Sequence, residues 1–143
     1  MNVRELLQSK KEAIVTIDVE DTIGAAAHKM SAHKIAALVV VKDDAPVRII
    51  SEKDIVRTLA DDGPQAGRRV IATLPSAGLE GIAPEATLKQ AMALMTYSRH
   101  RHLMVTEESR LVGIISLGDI VKNLLSELEL EKAVLQDIYM AAH

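Results

Sequence analysis

The segment Val47-Arg-Ile-Ile-Ser-Glu-Lys-Asp54 carries the residue types best suited to chemistry, and its pattern, Val-x-Ile-Ile-Ser-x-x-Asp, returns at Val112 to Asp119. An apolar strand that ends in serine at the start of a helix presents free backbone N–H groups and the positive end of the helix dipole, an arrangement suited to phosphate. The aspartate one turn into the helix accepts hydrogen bonds only, which suits a diol such as ribose. A sugar held between the two accounts for a phosphate site lying beside a carboxylate that would otherwise repel it. Ser-x-x-Asp is also a capping box, which satisfies a helix start without any ligand, and spacing alone leaves both readings open.

A second cluster, Arg99-His100-Arg101-His102, precedes the apolar stretch Leu103 to Val105. Cations at the mouth of a cleft floored by a helix N-terminus complement phosphate, arginine through its two-pronged fork and histidine as a donor that titrates near neutrality. A solvated basic turn has the same composition. Lys53 and Arg57 add charge near the first motif, either as site groups or as ordinary helix-surface residues. His100 and His102 share one face of a strand, and His28 and His33 fall on a helix. With no cysteine and no evident third ligand, no metal site is expected. The chain has no Gly-x-Ser-x-Gly elbow, no Walker glycine loop, no Gly-x-Gly-x-x-Gly and no His-Glu-x-x-His, so no enzymatic activity is expected.

These groups must be positioned by 143 residues, 48% hydrophobic and 26% charged, enough apolar surface for a core that folds unaided. Phe and Trp are absent and the only aromatics are Tyr97 and Tyr139, so a flat ligand meets aliphatic walls and backbone groups rather than stacking rings. The net charge of -3 argues against general nucleic-acid binding. Three features point to a soluble, cytoplasmic protein with no membrane partner: the lack of cysteine, the absence of an apolar leader in MNVRELLQSKK, and a longest apolar run, Ile35 to Val41, of only strand length.

Shifted by 65 residues, Thr22 onto Thr87, the sequence aligns with itself without a gap. Ile17 meets Ile82, Met30 meets Met95, Ile49-Ile50-Ser51 meets Ile114-Ile115-Ser116, and Asp54-Ile55-Val56 meets Asp119-Ile120-Val121. About 15 of roughly 43 aligned positions are identical, the mark of a duplication. Each unit reads β-α-β-β-α. In the first, Ile14 to Ile17 alternates as a strand, Asp21 or Thr22 caps a helix, Leu38 to Val41 is a buried strand, Lys42 to Pro46 is a polar turn, Val47 to Ile50 is a strand, and Ser51 opens a second helix. In the second, the strands are Leu79 to Ile82, Leu103 to Thr106 and Leu111 to Ile115, with helices over Thr87 to Tyr97 and from Leu117.

The predicted organisation is an N-terminal helical segment over 1–13, repeat one over 14–60, a Gly- and Pro-rich linker over 61–77 with a helical turn near Arg68 to Leu74, repeat two over 78–126, and a C-terminal helix over 127–143. The fold class is α+β, an α/β sandwich of two repeats packed about a pseudo-twofold axis, with two equivalent clefts at the junction. Arg101 and His102 fall opposite Ala36 and Ala37 in the repeat register, so one cleft is expected to be cationic and the other apolar. Arg48 falls opposite Gly113 and is expected to fill or guard its cleft. The stripe Leu124, Leu128, Val134, Leu135 and Ile138 needs a partner, for which a homodimer contact is the expectation.

The chain resembles tandem cystathionine-β-synthase (CBS) domains, the pair called a Bateman module, from about Ile14 to Leu125, on the strength of Arg48-Ile-Ile-Ser-Glu-Lys-Asp-Ile-Val-Arg57 and Gly113-Ile-Ile-Ser-Leu-Gly-Asp-Ile-Val-Lys122. It is similar in particular to short stand-alone bacterial pairs with a helical tail. The resemblance implies a disc-like dimer whose clefts bind an adenosine-containing ligand: AMP, ADP, ATP, NAD(H) or S-adenosylmethionine. Carried over by position, Asp54 and Asp119 hold ribose hydroxyls, while Ser51, Ser116, Arg101 and His102 contact phosphate; Lys53, read from its charge beside the first motif, is expected to join them. Thr16, Ile17, Ile35, Ala37, Ile49 and Ile114 wall the adenine. The chain departs from the family pattern at Arg48 and Gly81, and at Met104, where many members have proline. The resulting expectation is a regulatory sensor of energy or redox state, in which bound ligand alters module or dimer shape for an unidentified protein partner. A ligand-independent dimerisation scaffold is the alternative, and a nucleic-acid accessory role through Arg68, Arg69, Arg99 and Arg101 is a third reading.

Overall fold

The computed structural model describes residues 1–10, 12–75 and 81–142. Helix α1 (Val3–Ser9) leads into β1 (Thr16–Asp18), α2 (Ile23–His33), β2 (Ala37–Lys42), β3 (Ala45–Ser51) and α3 (Glu52–Asp62). Two 3-10 turns, Gly63–Arg68 and Ile71–Thr73, occupy the linker, followed by β4 (Gly81–Ile82), α4 (Leu88–Ser98), β5 (His102–Glu107), β6 (Arg110–Ser116) and α5 (Leu117–Ala142). Each repeat forms one three-stranded sheet, ordered β1-β2-β3 and β4-β5-β6, with the first pair parallel and the second antiparallel. The β-α-β-β-α order expected from periodicity is the order that forms, and β3 packs against β5 and β6 across the junction.

The duplication extends to backbone detail. Thr22 and Thr87 start α2 and α4 by accepting the N–H groups of Ala25 and Gln90 at 3.1 and 3.0 Å. Lys34 and Arg99 stop those helices in the left-handed conformation, φ 55° and 59°. The hairpins turn on Asp43–Asp44 and Glu108–Ser109, all at positive φ, as a two-residue turn matched to strand twist requires. The polar turn is therefore shorter than the Lys42 to Pro46 segment read from composition. Strand β3 already begins at Ala45, and Pro46 sits opposite Val41 at a register shift, a place where a missing N–H is tolerated.

Each repeat has its own buried cluster, and each is completed by a segment from outside the repeat. Ile71 of the linker joins Ile17, Ile23, Leu38 and Ile50, whereas Val3 and Leu6 of α1 join Leu88, Leu103, Ile115 and Ile120 of repeat two. Backbone bonds repeat the arrangement: Val3 N–H to Ala86 O and Arg4 N–H to Pro84 O match Ile71 N–H to Asp21 O and Ala72 N–H to Val19 O, all 2.9 Å. Arg4 further pairs with Glu85 and Glu107 of repeat two. The helix closing repeat two and the C-terminal helix are one continuous α5, because no Gly or Pro interrupts the chain near Ser126. Leu79 and Glu80, expected in the first strand of repeat two, lie outside the described residues. Among the described residues no helix is long and apolar enough to cross a membrane.

Candidate functional site

A cleft of 710 Å3 opens on one side of the junction, within the range that encloses a small-molecule ligand. Repeat one supplies Arg48, Ile49, Ser51, Glu52, Lys53, Asp54 and Arg57, repeat two supplies Arg99 to His102, and Pro75 closes the rim. The start of α3 is hung on the entrance to β2 by Glu52 N–H to Ala36 O at 3.0 Å, and α5 on the entrance to β5 by Leu117 N–H to Arg101 O at 2.8 Å. Asp54 Oδ2 accepts the Ser51 N–H at 2.8 Å and the Ser51 hydroxyl at 3.2 Å, so the box does cap α3. A carboxylate has about four acceptor positions, however, and capping leaves room for more donors. The Arg48 guanidinium lies 3.4 Å from Asp54 Oδ1 and donates to Pro75 O at 2.9 Å, placing this side chain across the cleft it was expected to guard. Five arginine and lysine side chains face two carboxylates here, so the cleft is cationic.

The second cleft, of 430 Å3, is built from the reciprocal parts: Gly113, Ile114, Ser116 and Asp119 of repeat two with Ile35, Ala36 and Ala37 of repeat one. Asp119 Oδ2 accepts the Ser116 N–H at 2.8 Å, and the Asp119 N–H donates to the Ser116 hydroxyl at 3.1 Å. Here the N-terminal segment intrudes. Lys10 Nζ lies 2.8 Å from Asp119 Oδ2 and 3.0 Å from Ile114 O. The Leu7 side chain lies where a Cβ on Gly113 would come within 2.5 Å of its tip, so any larger residue here must displace Leu7. Burial by itself would raise the Asp119 carboxyl, but the hydrogen bonds from Lys10 and Ser116 and the Lys10 charge outweigh it and hold the group below its ordinary value. His102 lines both clefts. Burial pushes its imidazole below the ordinary value; Asp119 and Glu52 pull it up, while Lys10 and Arg101 push it further down. At neutral pH His102 is therefore a neutral ring rather than an added cation.

Of the residues expected to bind ligand, Ser51, Lys53, Asp54, Ile49, Arg101 and His102 meet in the first cleft, and Ile35, Ala37, Ile114, Ser116 and Asp119 meet in the second. Thr16 and Ile17 line neither. Strand alternation turns Ile17 inward, 3% exposed, into the core of repeat one, and the Thr16 carbonyl accepts the Lys29 ammonium at 2.6 Å. Sequence reasoning missed Leu7 and Lys10, which lie outside the duplicated stretch. The one available signal is faint: Val3, Leu6 and Leu7 occupy for repeat two the places that Ile71, Leu74 and Pro75 occupy for repeat one. Among the described residues, no group of three or more His, Cys, Asp or Glu is placed to hold a metal ion.

The family model for the CBS domain matches the chain twice, over residues 3–61 and 72–126. The CBS domain-containing protein CBSX3, mitochondrial, of Arabidopsis thaliana is 32% identical over 113 residues, covering 76% of this chain and 55% of that protein. The chain thus spans about half the length of the plant relative. CBS domain-containing protein YhcV of Bacillus subtilis is 28% identical over 79% of this chain and 80% of its own length. The crystal structure of the CBS-domain containing protein ATU1752 from Agrobacterium tumefaciens superposes with a TM-score of 0.81 at 35% identity, covering 86% of this chain and 98% of that one. Twice matched in sequence and matched in fold, the chain belongs to the CBS-domain family and carries the domain as a tandem pair.

Proposed function

We propose that this CBS pair is a regulatory, non-catalytic module whose first cleft binds a phosphate-bearing adenosine ligand, and that occupancy changes module or dimer shape for a protein partner to read. The observation that carries this reading is the convergence, in one 710 Å3 cleft, of the Ser51–Asp54 helix start from repeat one with Arg99 and Arg101 from repeat two. Asp54 accepts ribose hydroxyls, the N-terminus of α3 with Lys53 and the arginines takes phosphate, and Ile49 offers an aliphatic wall to the base. A cationic cleft favours AMP, ADP, ATP or NAD(H) over S-adenosylmethionine, which carries no phosphate. Occupancy shifts shape only as far as the ligand's affinity differs between the two shapes.

Both aspartates cap their own helices and pair with a cation of the same chain, and this observation favours a second reading, the ligand-independent dimerisation scaffold. A thermal-shift panel on ligand-stripped protein separates the two. A phosphorylated adenine nucleotide at 100 times its Kd adds about 2.7 kcal/mol, a rise of several degrees. Asp54→Asn removes the response and Asp119→Asn leaves it. Folded protein that responds to none of AMP, ADP, ATP, NAD, NADH and S-adenosylmethionine overturns the nucleotide reading and leaves the scaffold.

A further inference from the structure

We propose that the outer half of α5 is a self-recognition element that pairs antiparallel with α5 of a second copy, centred between Glu131 and Lys132. This inference is independent of what the clefts bind. Among the described residues, α5 buries a side chain against the module near its start, at Ile120, and from Leu124 to Ala142 every residue is exposed. A helix in a protein draws most of its stability from packing its apolar face, and Leu128 and Leu135 stand 61% and 60% exposed on this one. Something apolar must cover that face.

The pattern on the face identifies the occupant as the same helix reversed. At 3.6 residues per turn, Val121, Leu125, Leu128, Glu131, Lys132 and Leu135 share one stripe, with Ile138 at its edge. Leu128 and Leu135 are equidistant from the midpoint between Glu131 and Lys132, and so are Leu125 and Ile138. A twofold axis through that midpoint therefore lays leucine on leucine at both flanks and sets each Glu131 against the Lys132 of the other copy. Such a face is complementary to itself in both shape and charge, as an isologous interface requires. A parallel pair in register would instead bring Glu131 onto Glu131 and Lys132 onto Lys132.

The chain contains no cysteine, so introduced thiols are unique reporters. Leu128→Cys protein mixed with Leu135→Cys protein and treated with a short bis-maleimide is expected to give a crosslinked heterodimer, while each variant alone gives little. Strong crosslinking of Leu128→Cys to itself would mean parallel pairing and overturn the proposal, as would no crosslink in any mixture. In sedimentation, Glu131→Lys or Lys132→Glu should each raise the Kd of self-association about tenfold, and the double exchange should restore it. Dimers whose strength ignores all three charge variants would place the contact elsewhere on the module and overturn the proposal, whatever the clefts bind.

Discussion

Asp54 and Asp119 make the same 2.8 Å bond to the N–H of the serine three residues before them, yet a different cation reaches each. Asp54 meets Arg48 from its own repeat at a loose 3.4 Å; Asp119 meets Lys10, from a segment outside either repeat, at 2.8 Å. Where repeat one has Arg48, repeat two has Gly113, and the vacated space is filled by Leu7. Where repeat two offers Arg101 and His102 to the first cleft, repeat one offers Ala36 and Ala37 to the second. Duplication has preserved the backbone frame of the site while a few side chains and one covering segment decide its state. The first cleft is basic, and the second is smaller, lacks the arginine rim and has its aspartate paired by Lys10 of the N-terminal segment.

The largest test of that contrast removes the basic rim. Arg99→Ala with Arg101→Ala should weaken binding of a phosphorylated adenine nucleotide by about 100-fold, because charge-assisted hydrogen bonds contribute roughly 1.5–3 kcal/mol each and both arginines are partly solvated. Affinity for unphosphorylated adenosine, measured by the same calorimetric titration, should scarcely change. Equal losses for the two ligands would mean that the arginines support the fold of the cleft rather than its choice of charge.

Releasing the second cleft is the next largest effect. Lys10→Ala leaves the Asp119 carboxylate with its cap and no ammonium, so a diol can compete for it. A second, weaker binding event should emerge, strengthened about tenfold relative to the native chain, taking the stoichiometry from one towards two. Stability should fall by about 1 kcal/mol or less, since the pair is only partly buried. If native and Lys10→Ala proteins bind the same number of ligands, the N-terminal segment does not gate this cleft.

The sequence made one part of this comparison legible and hid the other. The 65-residue register placed Arg101 opposite Ala36 and Arg48 opposite Gly113, because both members of each pair lie inside the duplicated stretch and inherit the same backbone. Lys10 was invisible, since the residue it reaches is 109 positions away and no periodicity relates them. Ile17 carries an adenine-wall role only by resemblance, and its side chain lies instead in the core of repeat one, on the buried face of a three-residue strand. The family match ends at residue 126 while α5 runs on unbroken to Ala142, a continuity that the change from repeat to non-repeat sequence conceals.

Glycine in one repeat and arginine in the other gives a test of the packing itself. A methyl group on Gly113 would meet Leu7 at its tip, so Gly113→Ala should cost about 1 kcal/mol as Leu7 is displaced. In a Leu7→Ala background the added methyl has room, and the double variant should lose less than the two single losses together in urea denaturation. Strict additivity would mean that Leu7 does not sense residue 113.

The smallest effect is a pH dependence belonging to the second cleft. His102 and Asp119 are both held below their ordinary values of 6.5 and 3.8. For each, the unfolded chain binds the proton more readily, so stability rises with pH between the folded and unfolded values. The His102 contribution is complete above about pH 6.5 and is lost as pH falls through its lower folded value; Asp119 behaves likewise from about pH 4 downward. Denaturant midpoints measured from pH 8 to pH 5 should therefore fall with acidity, and His102→Asn should flatten that limb. Asp119→Asn should abolish the more acidic limb, where Lys10→Ala should imitate it, because Lys10 provides the leading hydrogen bond that depresses the carboxyl, and it should also deepen the His102 limb, because Asp119 pulls that imidazole up. A His102→Asn slope identical to the native one would show that burial at the junction does not discriminate between the two forms of the ring.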